Sequence, residues 1–242
     1  MTRTETPTGP GPLEGLTVLD LATIFGGPSA ARHLADSGAD VIKIERPGVP
    51  DGARRLGEVD GEDSFYWRLV GRNKLPMELD LKHPRGREIL LQLVRRADVL
   101  IENFRPGTLE RLQLDPESVL LRENPGLVVL RVTGYGQDGP YASRAGFGTI
   151  AEAMSTLAHC TGQPDGPPTL PPIALADEVT GLQGAFAVLA ALRYRDRTGQ
   201  GQVIDANLLE SLVDIIGPGP AIYHRTGHVD GRYGSRLTFS AP

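Results

Sequence analysis

Asp177 lies in Ile173-Ala-Leu-Ala-Asp-Glu-Val-Thr-Gly181, behind small and apolar residues and ahead of a long helical pattern. Shelter of this kind strips water from a carboxylate and raises its pKa, whereas a nearby helix N-terminus lowers it. The balance leaves a group that is ionised yet poorly hydrated, and therefore a candidate nucleophile. An aspartate that simply caps the helix fits the same pattern, and the residues alone leave both readings open. Gly26-Gly27-Pro28 falls where a strand hands over to a helix, the edge at which open α/β sheets receive ligands, although a plain tight turn would use the same residues. Basic side chains recur at the ends of expected strands or in the loops after them: Arg46, Arg72, Lys74, Lys82, Arg105, Arg111 and Arg144. Parallel strands would bring several of these loops to one edge, where guanidinium groups suit phosphate; ordinary solvated charge is the competing reading.

Other motifs are weaker. Gly134-Tyr-Gly-Gln-Asp-Gly139 matches the dinucleotide pattern after a strand, but Pro140 and more loop follow, so no helix N-terminus would face a pyrophosphate. There is no Gly-x-Ser-x-Gly elbow, no Walker A loop and no His-Glu-x-x-His element. The single cysteine, Cys160, has no partner for a disulfide, and the five histidines have no zinc-type spacing with it. A metal-free site is expected.

The elements that must position these residues alternate. Strands are expected at Thr17–Leu21, Asp40–Glu45, Met77–Leu81, Asp98–Glu102, Gly126–Val132 and Gln202–Ala206. Helices are expected from Gly26 to Ser37, from Pro84, at Thr108–Leu112 and Pro116–Arg122, at Thr149–His159, at Glu178–Arg195 and from Leu208, with Gly48–Asp63 and Gly162–Pro172 as loops. This order predicts an α/β fold with a mostly parallel sheet and helices on both faces. Residues 1–11 read as a disordered lead and 12–226 as the α/β domain, with Tyr233 to Pro242 polar and turn-like.

Composition bounds the function. The 242 residues are 40% hydrophobic and 23% charged, within the globular range. A net charge of −5 argues against a general nucleic-acid binder. The longest wholly apolar run, Ala185 to Leu192, is too short to cross a bilayer, and residues 1–12 lack a signal-peptide core. No membrane partner and a cytoplasmic location are expected.

The ordered motifs Pro12-Leu-Glu-Gly-Leu-Thr-Val-Leu-Asp-Leu21, Gly38-Ala-Asp-Val-Ile-Lys-Ile-Glu-Arg-Pro-Gly48, Arg72-Asn-Lys74, Leu79-Asp-Leu-Lys82, Asp98-Val-Leu-Ile-Glu-Asn-Phe-Arg-Pro-Gly107, Gly134-Tyr-Gly-Gln-Asp-Gly-Pro140, Leu175-Ala-Asp-Glu-Val-Thr-Gly181 and Thr198-Gly-Gln-Gly-Gln202 together resemble class III (CaiB/BaiF-type) CoA-transferases. The resemblance runs from Pro12 to Pro242 and implies a Rossmann-like large domain that binds coenzyme A as acyl-CoA. It implies that Asp177 is the nucleophile, forming a mixed anhydride and then an aspartyl-CoA thioester, and that Ile24, Phe25, Arg46, Leu79, Lys82, Asn103, Phe104 and Arg111 line the CoA site. Phe25 stands where formyl-CoA transferases carry glutamine, which points away from formyl or oxalyl exchange. Gly146-Phe147-Gly148 replaces the Gly-His-Asp of the related 2-methylacyl-CoA racemases, so one acid/base group is missing for that alternative. Family chains continue into a second domain and interlock as homodimers, so the resemblance implies that 227–242 is the start of a linker toward an absent second domain. The expected partners are therefore an acyl-CoA donor, a carboxylic acid acceptor, and a second copy or a complementing C-terminal half; a non-catalytic CoA-binding module is the remaining alternative.

Overall fold

A computed structural model describes residues 11–236. The expected lead, except for Gly11, and residues 237–242 of the expected linker lie outside the described residues. Among the described residues there are eight strands: β1 (Thr17–Asp20), β2 (Asp40–Glu45), β3 (Val59–Asp60), β4 (Asp63–Ser64), β5 (Lys74–Glu78), β6 (Val99–Glu102), β7 (Val128–Thr133) and β8 (Val203–Asn207). Helices are α1 (Gly26–Asp36), α2 (Phe65–Val70), α3 (Pro84–Val94), α4 (Thr108–Arg111), α5 (Leu121–Glu123), α6 (Gly148–Met154), α7 (Leu157–Cys160), α8 (Leu175–Thr198), α9 (Leu208–Ile215) and α10 (Gly219–Thr226).

Six strands pair in the order β5-β2-β1-β6-β7-β8, every pair parallel. From β1 the chain builds outward through β2 and β5, then returns to the other side of β1 and builds outward through β6, β7 and β8. The crevice beyond the carboxyl ends of β1 and β6 is therefore the topological switch point, where such sheets bind ligands. All six residues of β7 are buried, as a strand covered on both faces requires.

The two-residue period divides the core. Val99, Ile101, Val128, Leu130 and Val132 face Ala30, Leu34, Val188 and Leu192 of α1 and α8. Leu100 and Val129 face the other way, toward Leu90, Val94, Leu109 and Leu120. Helix α8 has the length and apolar content of a membrane span, but here it is the central packing helix of one sheet face.

The α/β expectation holds, with local corrections. The strand expected at Met77–Leu81 is Lys74–Glu78, because register with β2 places Lys74 opposite Val41 and Glu78 opposite Glu45; Pro76 is tolerated on this edge strand. The helix expected over Thr149–His159 is broken into α6 and α7 at Thr156, whose φ is +73°. The stretch Gly48–Asp63 is not all loop: it holds a 3₁₀ turn at Gly52–Arg55 and reaches the β3–β4 ladder. Residues 134–147, including the glycine pattern, form no helix or strand. Beyond α10 the chain turns back on α7, with the Gly234 N–H donating to the Gly162 carbonyl and Arg232 to that of His159.

Candidate active site

Helix α8 starts at Leu175, three residues earlier than the sequence suggests, with Ala174 in the cap position and no side-chain cap. Asp177 is thus not a cap but a first-turn residue, and its side chain is free to point elsewhere. Its Oδ1 accepts the backbone N–H of Gly26, the first residue of α1, at 3.1 Å. Burial raises the pKa of Asp177 from 3.8 to about 6; the Gly26 N–H pulls it down, and the charges of Glu152 and Glu178 push it up. Near neutrality the group is mostly ionised, half-buried, and short of water.

Two glycines make room for it. A Cβ on Gly26 would lie 3.2 Å from Oδ1 and 3.2 Å from Val132, and one on Gly148 would lie 2.8 Å from Oδ2. The neighbouring Glu178 anchors α8 to α1 by accepting Ser29 Oγ and Arg32 Nη2, each at 2.8 Å. From α6, buried Glu152 accepts the Ala176 N–H at 3.3 Å. These supports were not singled out from the sequence. The available signal was Arg32 amid the small residues of α1, since a charge on a buried helix face needs a partner.

Asp177 opens into a cavity of about 320 Å³ whose wall includes Ile24, Phe25, Asn103, Phe104, Arg105, Arg144 and Phe147. A second cavity, of about 420 Å³, is lined by Arg46, Leu79 and Lys82. Both share Thr23, Ile24 and Phe104, so the two adjoin at the switch point. The structure therefore gathers all but one of the expected CoA-site residues around these cavities. Arg111 lines neither; it is exposed and donates to Thr108 Oγ1 at 2.9 Å, one step behind the wall of the second. Asn103 is committed to the backbone of Thr23, accepting its N–H at 2.8 Å and donating to its carbonyl at 2.7 Å. Phe25 sits edge-on to Tyr66, ring centres 5.2 Å apart.

The strand-end cations divide into two groups. Arg72 pairs with Asp36, and Lys74 is a buried partner of Asp20, so neither faces the cavities. Arg46, Lys82, Arg105 and Arg144 line the cavities and pair with no carboxylate among the described residues. Arg144 stacks over the Tyr141 ring at 4.1 Å. A shielded carboxylate at one end and cations without a carboxylate partner among the described residues along the route suit a long ligand with a polyanionic end. Among the described residues, no three His, Cys, Asp or Glu side chains converge to hold a metal ion.

The family model of CoA-transferase family III matches residues 13–242. The chain belongs to CoA-transferase family III. Among its relatives in the family is the succinyl-CoA–L-malate CoA-transferase beta subunit of Chloroflexus aurantiacus, 44% identical over 96% of this chain and 58% of that protein. The succinyl-CoA:glutarate CoA-transferase of Mus musculus is 44% identical over 84% of this chain and 46% of that protein. The crystal structure of a CaiB/BaiF family protein from Brucella suis superposes with a TM-score of 0.89 at 38% identity, covering 97% of this chain and 63% of that one. The family III chain described here thus spans less than two thirds of the length of these relatives.

Proposed function

We propose that this chain is the CoA-binding, nucleophile-bearing part of an acyl-CoA:carboxylate CoA-transferase. The observation that carries the reading is Asp177: an ionised, poorly hydrated carboxylate opening into a cavity that adjoins a second one edged by Arg46 and Lys82, which pair with no carboxylate among the described residues.

In this reading the carboxylate oxygen of Asp177 attacks the thioester carbonyl, the C–S bond breaks, and CoA leaves as thiolate, giving an aspartyl mixed anhydride. The thiolate attacks the aspartyl carbonyl of the anhydride, releasing the first acid and leaving an aspartyl-CoA thioester. The acceptor carboxylate then attacks that thioester, and the returning thiolate takes the new acyl group from the resulting anhydride, regenerating Asp177. Each step exchanges one activated acyl bond for another, so no ATP is needed, and water must be excluded because it would hydrolyse every intermediate. Arg46 and Lys82 hold the nucleotide end of CoA; Leu79, Ile24 and Phe104 supply its apolar wall.

Short dicarboxylic acids are the proposed acyl class. Arg105 and Arg144 line the same cavity as Asp177 and pair with no carboxylate among the described residues, and relatives are named for succinyl-CoA with malate or glutarate. The racemase reading is disfavoured: Phe147 cannot shuttle a proton, and any side chain at position 148 would collide with Asp177. The proposed setting is cytoplasmic, and the proposed assembly is a homodimer completed by further chain or by a complementing C-terminal half.

The test is transfer by the complemented enzyme and hydroxylamine trapping of its acyl-enzyme with succinyl-CoA. Asp177→Ala abolishes both while CoA binding to the chain persists. Undiminished transfer in that variant refutes the assignment.

A further inference from the structure

The backbone at Ile24 is in an unusual state. Its φ is +68°, a left-handed conformation that a β-branched side chain adopts only when its surroundings impose it. Ile24 also forms part of the shared boundary of the two cavities. Against that turn lies a buried ion pair that the proposed chemistry leaves unused. Lys43 and Asp51 lie 3.2 Å apart, with side chains 1% and 0% exposed. Asp51 Oδ1 accepts the Ile24 N–H at 3.0 Å and the Ala53 N–H at 2.9 Å. Lys43 Nζ donates to the carbonyl of Ala22, on the other side of the same turn. Two residues after Ile24 comes Gly26, whose N–H reaches Asp177.

We propose that the Lys43–Asp51 pair is a positioning device: it grips the turn at Ala22 and Ile24, locks Ile24 in its left-handed state, and thereby sets both the junction between the cavities and the aim of the Gly26 N–H at Asp177. A buried ion pair is weak evidence for stability, since apolar replacements of the same shape often serve as well. Here two of the pair's three side-chain hydrogen bonds, to Ala22 and to Ile24, go to one strained turn, which assigns it to geometry. The CoA part of the inference rests on the function proposed above; the link to Asp177 does not.

The test compares the wild-type chain with Asp51→Ala and with Asp51→Asn, which keeps an oxygen acceptor for the Ile24 and Ala53 N–H groups. CoA affinity is read by calorimetry, and the ionisation of Asp177 by carbon NMR, assigned through Asp177→Asn. Glu152 from α6 and Glu178 from α8, which also face Asp177, are untouched by either substitution. Asp51→Ala is expected to weaken CoA binding about tenfold, the scale of one released backbone strain. It also raises the Asp177 midpoint, because the Gly26 donor is lost, and Asp51→Asn restores both. A folded Asp51→Ala chain with wild-type affinity and midpoint overturns the proposal. Should the alanine variant not fold, amide exchange in the wild type decides: Ile24 and Gly26 are expected to be as protected as β1, and free exchange at Ile24 overturns the proposal. If the wild type binds no CoA, the functional reading fails, while the midpoint and exchange still judge the device.

Discussion

The N–H of Gly26 meets Oδ1 of Asp177 at 3.1 Å, joining residues 151 positions apart. This single contact ties the proposed nucleophile on α8 to the first turn of α1, and it exists only because the two helices run very close. At Gly181 a Cβ would come within 2.7 Å of the Ser29 side chain and 3.0 Å of the Gly26 carbonyl. The site is thus a property of the α1–α8 contact rather than of either helix alone.

Activity is expected to fall as pH falls through about 6, where Asp177 takes up a proton and loses its nucleophilic lone pair. The measurement is kcat/KM of the complemented enzyme against pH. An acid limb at the ordinary aspartate range, about 4, would count against burial as the controlling effect.

The same burial makes the site costly to the fold. Because the folded-state pKa of Asp177 lies above its unfolded value, the group's stabilising contribution is present below about 3.8 and lost as pH rises through about 6. At pH 7 the native state therefore carries an ionised, desolvated carboxylate. Asp177→Asn keeps the acceptor for Gly26 and drops the charge, so it is expected to stabilise the chain by about 1–3 kcal/mol at neutral pH, with little difference near pH 4. Denaturant melts at the two pH values check this; equal effects at both would show that ionisation is not the cause.

Much of this arrangement was readable from residue types, and the exceptions share a cause. Asp177, Arg46 and Lys82 announce themselves because a carboxylate after a small-residue run and cations after strands are local patterns. The start of α8 is not legible because Ala174 gives no capping signal, so the sequence lacks the mark that usually fixes a helix end. Lys74 reads like the other strand-end cations, yet it is buried on Asp20, a pairing between residues 54 positions apart. Glu152, Ser29 and Arg32 come from distant segments, and the αL state of Ile24 depends on Asp51 27 residues away. Long-range closure leaves no trace in a local window.

Gly148→Ala tests the geometry around the proposed nucleophile without altering its chemistry. The added methyl would sit 2.8 Å from Asp177 Oδ2 and 3.5 Å from the Ala176 Cβ, so the carboxylate must swing away. An alanine is otherwise compatible with the first position of α6 and even favours the helix. Expected is a loss of about 100-fold or more in acyl-enzyme formation, as a misplacement of about 1 Å can cause, with melting temperature nearly unchanged. A variant that traps acyl-enzyme at the wild-type rate would show that Oδ2 is not confined as described.

Arg46→Ala and Lys82→Ala address the opposite end of the proposed ligand. Both side chains are exposed at the rim of the second cavity and have no carboxylate partner among the described residues, so their charge is available to phosphate but screened by salt. Each substitution is expected to raise KM for the CoA thioester about tenfold with kcat within about twofold, the mark of binding lost equally from ground and transition states. The penalty should shrink as ionic strength rises, and it should vanish with pantetheine thioesters, which lack the nucleotide. Arg72→Ala is the control: its guanidinium is engaged with Asp36, away from both cavities, so KM should not move. Penalties that persist with pantetheine substrates would mean that these cations act on the acyl end, and the orientation of CoA across the two cavities would have to be reversed.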